Sequence, residues 1–317
     1  MAAAEGEPDA GDTSLHGEAW WPSRYGPDDE IGAGNELTPE LTLAALRLPT
    51  QGRIIELARV LDRGVPIWPP PGVRPEAEGS RIYHQLVVAH GQLEEKVRGE
   101  NRFSFMEEHV TQTYHVGTHL DGLGHVGIGG RYYNGLHYAD FYRPTGLTRL
   151  GIETVRPWVS RGVCLDVAKV VGVDMLEEGF VITPGHLTAA CAAAQVEVRA
   201  GDAVILHTGH GALWMTDNAR YGNREPGLGL DGARWLTDRR VSLVGADNWA
   251  IEALPGERQN APYVVHQHML AVTGTHLLEN LRTDELAACG RAEFLFICSP
   301  AKTGGSTASM VAPLAVV

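Results

Sequence analysis

Two apolar periods alternate along the chain, and each change of period predicts a change of element. Short runs rich in Val, Ile, Leu and aromatic residues read as strands over 53–60, 81–89, 109–120, 162–167, 202–207, 241–245 and 293–298. Between them, apolar residues spaced by three and four predict helices over 38–48, 183–196, 231–238 and 283–289. The first two helices are announced by Thr38-Pro39 and Thr183-Pro184, a capping hydroxyl followed by a proline whose missing N–H is no loss in the first turn. Strands alternating with helices predict an α/β chain with a mixed β-sheet, expected to form a single domain over 18–317 because no repeat, low-complexity tract or linker interrupts it. The stretch 1–17, acidic and rich in Ala and Gly, is expected to be a disordered tail, and 64–79 reads as a proline-rich loop carrying Trp68.

Charge narrows the partners. A formal net charge of -13 with no Lys/Arg cluster argues against nucleic acid and against an anionic membrane surface, leaving a small-molecule substrate as the expected partner. No stretch approaches the ~20 apolar residues that span a bilayer, and the amino terminus lacks the basic and apolar regions of a secretory signal. The four cysteines, at 164, 191, 289 and 298, are scattered without C-x-x-C spacing and read as reduced residues of a cytoplasmic protein.

One segment stands apart from this ordinary background. His115-Val116-Gly117-Thr118-His119-Leu120-Asp121-Gly122-Leu123-Gly124-His125 places three imidazoles and a carboxylate among glycines and small side chains. Imidazole and carboxylate suit zinc, manganese or iron. A helix would align His115 with His119 but turn Asp121 away, and each glycine within it would cost roughly 1 kcal/mol. An extended strand instead puts His115, Gly117, His119 and Asp121 on one face, with Tyr114, Val116, Thr118 and Leu120 on the other. His125 follows a Gly-Leu-Gly turn and can return over the same space.

Other motifs carry less. Gly227-Leu228-Gly229-Leu230-Asp231-Gly232 fits G-x-G-x-x-G but follows the polar Asn223-Arg224-Glu225-Pro226 and reads as a loop. His207-Thr208-Gly209-His210 reads as a second metal or substrate site, or equally as a capped strand exit. Asp247-Asn248-Trp249 follows a strand where α/β ligand sites lie, and a plain cap accounts for it equally well. Further candidate ligands occur downstream in Val265-His266-Gln267-His268 and in His276 to Glu279, read as a histidine and a glutamate flanking an apolar turn. Glu279 is either a buried, paired carboxylate among leucines or the wet face of an amphipathic helix.

The run from His115 to His125 resembles the H-x-G-T-H-x-D-x-P-x-H signature of the metal-dependent cyclase family, which includes kynurenine formamidase, isatin hydrolase and trans-dienelactone hydrolase; Leu123 stands in place of the proline. Segments 21–32, 35–40, 245–252 and 266–281 are similar to other stretches of the longer members. The resemblance implies a swivelling β/β/α domain. It implies His115, His119 and Asp121 as metal ligands, His125 as catalytic acid/base, and His266 with Glu279 as the distant ligands, with His268 as rival to His266. It implies one or two divalent ions, Zn2+ or Mn2+, and a homodimer or homotetramer whose neighbouring subunit helps close the site.

A divalent ion with open positions polarises a carbonyl and lowers the pKa of water from 15.7 to about 7, and an imidazole, titrating near 6.5, suits proton transfer to the leaving group. The expected reaction is hydrolysis of an amide, lactam or lactone in a small cyclic or aromatic substrate. Trp21, Trp68, Phe103, Phe105 and Tyr114, with Tyr132 and Tyr133, are candidates for an aromatic wall. Two rivals stand beside this reading: a cyclase or dehydratase of secondary metabolism, and a non-catalytic metal-stabilised binding protein.

Overall fold

The computed structural model describes residues 20–67, 83–90, 100–258 and 260–317. Its frame is a nine-stranded mixed sheet, built from β1 (Ile54–Glu56), β4 (His119–Asp121), β5 (Trp158–Asp166), β7 (Ala203–His207), β9 (Leu243–Ala246), β10 (His276–Glu279), β11 (Glu293–Cys298), β12 (Ala308–Met310) and β13 (Leu314–Val316). Two small pairs lie outside it: β2 (Tyr83–His90) with β3 (Phe105–Gln112), and β6 (Val181–Ile182) with β8 (Gly227–Leu228). The strand order is β1-β13-β11-β5-β7-β9-β10-β4-β12, with β5, β7, β9 and β10 running parallel in the middle. This is the α/β architecture with a mixed sheet that the alternating periods predict.

The central strands are apolar without interruption because both of their faces are covered. On β7, Val204 and Leu206 face one core together with Val163, Leu165, Val244 and Leu277. Ala203 and Ile205 face the other, with Cys164, Leu243, Leu278 and Phe294. The first core is closed by helices Pro184–Ala194, through Leu187 and Ala190, and Leu230–Asp238, through Ala233 and Leu236. Thr183 caps the first of these helices in a capping box with His186, as its sequence predicts. Glu257 accepts the Leu230 N–H of the second, so a carboxylate occupies the helix start where a dinucleotide phosphate would sit. The G-x-G-x-x-G stretch is therefore the short strand β8 leading into that helix, where a plain loop was expected.

Three other expectations change. The strand expected over 109–120 is two strands in different sheets, β3 and β4, separated by a bend at 114–118. Gly117 makes that bend with φ +62°, which an extended strand does not allow. The segment around His276 to Glu279, expected as a turn or amphipathic helix, is the buried strand β10. The strand over 53–60 shrinks to Ile54–Glu56, after which Arg59 N–H is taken by the Thr118 hydroxyl. The tail 1–17, Trp68 and most of the loop over 64–79 lie outside the described residues. Among the described residues, no helix is long and apolar enough to cross a membrane.

Candidate metal centre

Strand pairing assembles the centre. β4 lies between β10 and β12, and its antiparallel register with β10 sets Glu279 directly opposite His119. Alternation along β4 would send His119 and Asp121 to one face, and both side chains meet Glu279 there: His119 Nε2 is 3.5 Å from Asp121 Oδ1 and 3.2 Å from Glu279 Oε2. His115 reaches the same carboxylate from the bend, not from the strand, with Nδ1 2.9 Å from Asp121 Oδ1. The shared face expected for four residues thus holds for two, and the turn at Gly117 delivers the third. His125 Nε2 lies 3.8 Å from Asp121 Oδ2, its ring stacked 4.0 Å from that of His115.

From across the sheet, His266 points Nε2 at Glu279 Oε1, 3.2 Å away, and stands 3.9 Å from Asp121 Oδ2. His268 turns the other way, its Nε2 2.9 Å from the Thr237 hydroxyl. Of the two, His266 faces the cluster. Two overlapping sets have atoms close enough to share an ion: His115, Asp121 and His125, and His119, Asp121 and Glu279. Asp121 belongs to both.

Electrostatics gives a fit test for a cation. Asp121 and Glu279, each nearly inaccessible, oppose one another in a low-dielectric pocket, which is costly without compensating positive charge. His119 Nε2 and both Asp121 oxygens are buried and make only these close approaches, with no hydrogen bond of good geometry. The free chain compensates with protons. Burial disfavours charge on His119, but Asp121 and Glu279 outweigh it and raise its pKa to about 10; His266 is raised to about 10 in the same way by Glu252 and Glu279. Burial likewise opposes charge on Asp121, but the imidazoles of His125 and His115 hold its carboxyl well below the usual range. A mixed imidazole and carboxylate donor set with unsatisfied inward atoms fits a divalent ion.

The outward nitrogens are tied down. His119 Nδ1 is 2.8 Å from the Gly117 carbonyl, His115 Nε2 is 3.0 Å from the Thr307 hydroxyl, and His266 Nδ1 is 2.6 Å from Glu252 Oε1. Gly117 O also accepts from Asn280 Nδ2, whose Oδ1 in turn accepts from the Tyr221 hydroxyl. Sequence reasoning missed Thr307 and Glu252 as partners because neither shares a local motif with the ligand it holds.

A narrow slot opens beside His115, lined by Pro66, Ile67, Val116, Tyr221, Trp249 and Asn280 among others. The described members of the expected aromatic wall do not line this slot. Trp21 packs edge-on against Trp20 under the Arg131 guanidinium, Phe103 and Phe105 stack on each other at 5.3 Å, and Tyr114 bonds Thr303. Tyr132 packs on Phe141, and Tyr133 is buried with its hydroxyl on Asp29. Of the three secondary motifs, Asp247-Asn248-Trp249 contributes Trp249 to the slot. His210 is buried against the Tyr221 carbonyl, and His207 bonds Thr283.

Comparison with known proteins places the fold. A crystal structure described as a novel cyclase is 28% identical, superposes with a TM-score of 0.82 and is matched over 93% of this chain and 96% of its own. Isatin hydrolase A from Ralstonia solanacearum shares the fold at 19% identity and a TM-score of 0.61, over 83% of this chain and 91% of its own. A predicted metal-dependent hydrolase from Bacillus stearothermophilus does so at 17% and 0.53, over 83% and 97%. Among curated proteins none matches the chain significantly. The Cyclase family model matches residues 55–253, well over half of the sequence and including the whole histidine run, so the chain belongs to the cyclase family.

Proposed function

We propose that this protein is a metal-dependent hydrolase that opens an amide, lactam or lactone bond of a small cyclic or aromatic substrate. The observation that carries the reading is the convergence of His115, His119, Asp121, His266 and Glu279 on one buried point, where His119 Nε2 and both Asp121 oxygens lack a hydrogen bond of good geometry. His115, His119 and Asp121 would hold one divalent ion, Zn2+ or Mn2+, and Asp121 with His266 and Glu279 would hold a second. Such an ion supplies carbonyl polarisation and a water deprotonated near neutral pH.

The residues around it do the rest. His125 is the most accessible imidazole of the group, its side chain 22% exposed against 13% for His115, and it lies next to the cluster. That access suits a group that takes a proton from water and returns it to the leaving nitrogen or oxygen. The slot beside His115, walled by Tyr221, Trp249 and Ile67, is narrow, which favours a flat substrate. Isatin hydrolases sharing the fold act on a substrate of this kind, which supports a lactam as the first compound to try. We further propose a cytoplasmic homodimer.

The likeness to a cyclase keeps ring closure as the second reading. Purified enzyme incubated with aryl formamides, isatin-like lactams and unsaturated lactones separates the two by product mass. Hydrolysis adds one water and cyclisation adds none; no turnover in a protein that holds stoichiometric metal would leave the binding-protein reading.

A further inference from the structure

Resting on the reading of the cluster as a metal centre, we infer that Glu252 is a positioning residue that fixes His266 as a ligand. Glu252 is 2% exposed and gathers three donors from one short segment. Its Oε1 accepts the His266 backbone N–H at 3.0 Å and lies 2.6 Å from His266 Nδ1, while Oε2 accepts the Val265 N–H at 3.4 Å. Both Glu252 oxygens already accept backbone N–H groups, which sets this short contact up for Nδ1 to donate. Nε2 is then the nitrogen left to ligate, and it is the one aimed at Glu279 and Asp121.

The contrast with the other inward histidine gives the contact its meaning. His119 rests its outer nitrogen on a neutral carbonyl, that of Gly117. His266 rests on a carboxylate that also holds its own backbone N–H, which fixes both the ring and the backbone that carries it. His268, two residues on, turns its Nε2 to Thr237.

The bend that carries Glu252 is held independently of it. Glu225 accepts the Trp249 and Ala250 N–H groups, both at 2.8 Å, and Asn248 Oδ1 accepts that of Ile251 at 3.0 Å. Substitution at 252 is thus expected to leave the bend in place.

The test uses full-length protein stripped of metal: wild type, Glu252→Gln, Glu252→Ala, and Thr237→Val as a control that unties His268 and leaves the His266 contacts in place. Each is titrated with Zn2+ against a chromophoric chelator and with Co2+ followed by its visible absorption, and each stripped protein is melted. Glu252→Ala is expected to weaken metal binding by up to about a hundredfold and Glu252→Gln by about tenfold, with a changed Co2+ spectrum, while Thr237→Val binds as wild type. Gln keeps the shape of the side chain and one oxygen that can accept the His266 N–H, so a purely structural role predicts near-wild-type affinity and spectrum for that variant. That result overturns the inference, even if Glu252→Ala fails to fold. Wild-type protein that binds neither ion overturns the metal-centre reading instead.

Discussion

His119 and Glu279 stand directly opposite one another on antiparallel strands, and their side chains meet with Nε2 3.2 Å from Oε2. A residue of the dense histidine run and a distant glutamate are made neighbours by one register of one strand pair. A slip of one residue would turn Glu279 to the far face of the sheet, where Leu278 now packs.

Loss of either partner should therefore empty the centre. His119→Ala is expected to retain no stoichiometric divalent ion by elemental analysis, and Glu279→Gln to retain less than wild type. Full metal content in both variants would place the ion elsewhere.

The pH dependence of the metal-free protein has a definite sign. His119 and His266 have folded-state pKa values of about 10, above the ordinary value of 6.5 that they take when unfolded. The stability they contribute is fully present below pH 6.5 and is lost as pH rises through 10. Metal and protons compete for the same nitrogens, so binding tightens over the same interval. Urea midpoints of stripped protein should fall from pH 7 to pH 10, while those of metal-loaded protein fall less; parallel curves would contradict the protonated cluster.

His125→Ala separates binding from chemistry. Metal content is expected to stay at the wild-type level, and kcat to fall by about 10²–10⁴-fold, the usual worth of a general acid–base group. Unchanged turnover would remove His125 from the mechanism, and lost metal would make it a ligand, as its place beside His115 and Asp121 permits.

Gly117→Ala tests the bend that brings His115 in. The backbone there has φ +62°, and a β-carbon would collide with the Leu61 side chain. We expect a loss of about 1–3 kcal/mol in unfolding free energy together with weaker metal binding, because the Gly117 carbonyl also anchors His119. A variant as stable as wild type would mean that the loop relaxes freely.

Much of this was written locally. Apolar runs marked β5, β7, β9 and β11, because strands covered on both faces need no alternation. Thr183-Pro184 marked a helix start, and the spacing of His115, His119, Asp121 and His125 marked a place for a metal. Glu279 was visible only as an oddity among leucines, and β10 was missed because four buried residues carry no period that separates strand from helix.

By itself, then, the sequence determined the α/β class, three of the four parallel central strands, the family and the ligand-rich run, all of which rest on periods and spacings within a few residues. The tertiary structure alone decided that His266 and not His268 faces the cluster, that Glu252 holds it, and that Tyr221 and Trp249 wall the slot. These depend on which buried strands pair and in which register, and backbone hydrogen bonds between distant strands are the same for every side chain. Only the packing of both faces at once selects the arrangement that brings these groups together.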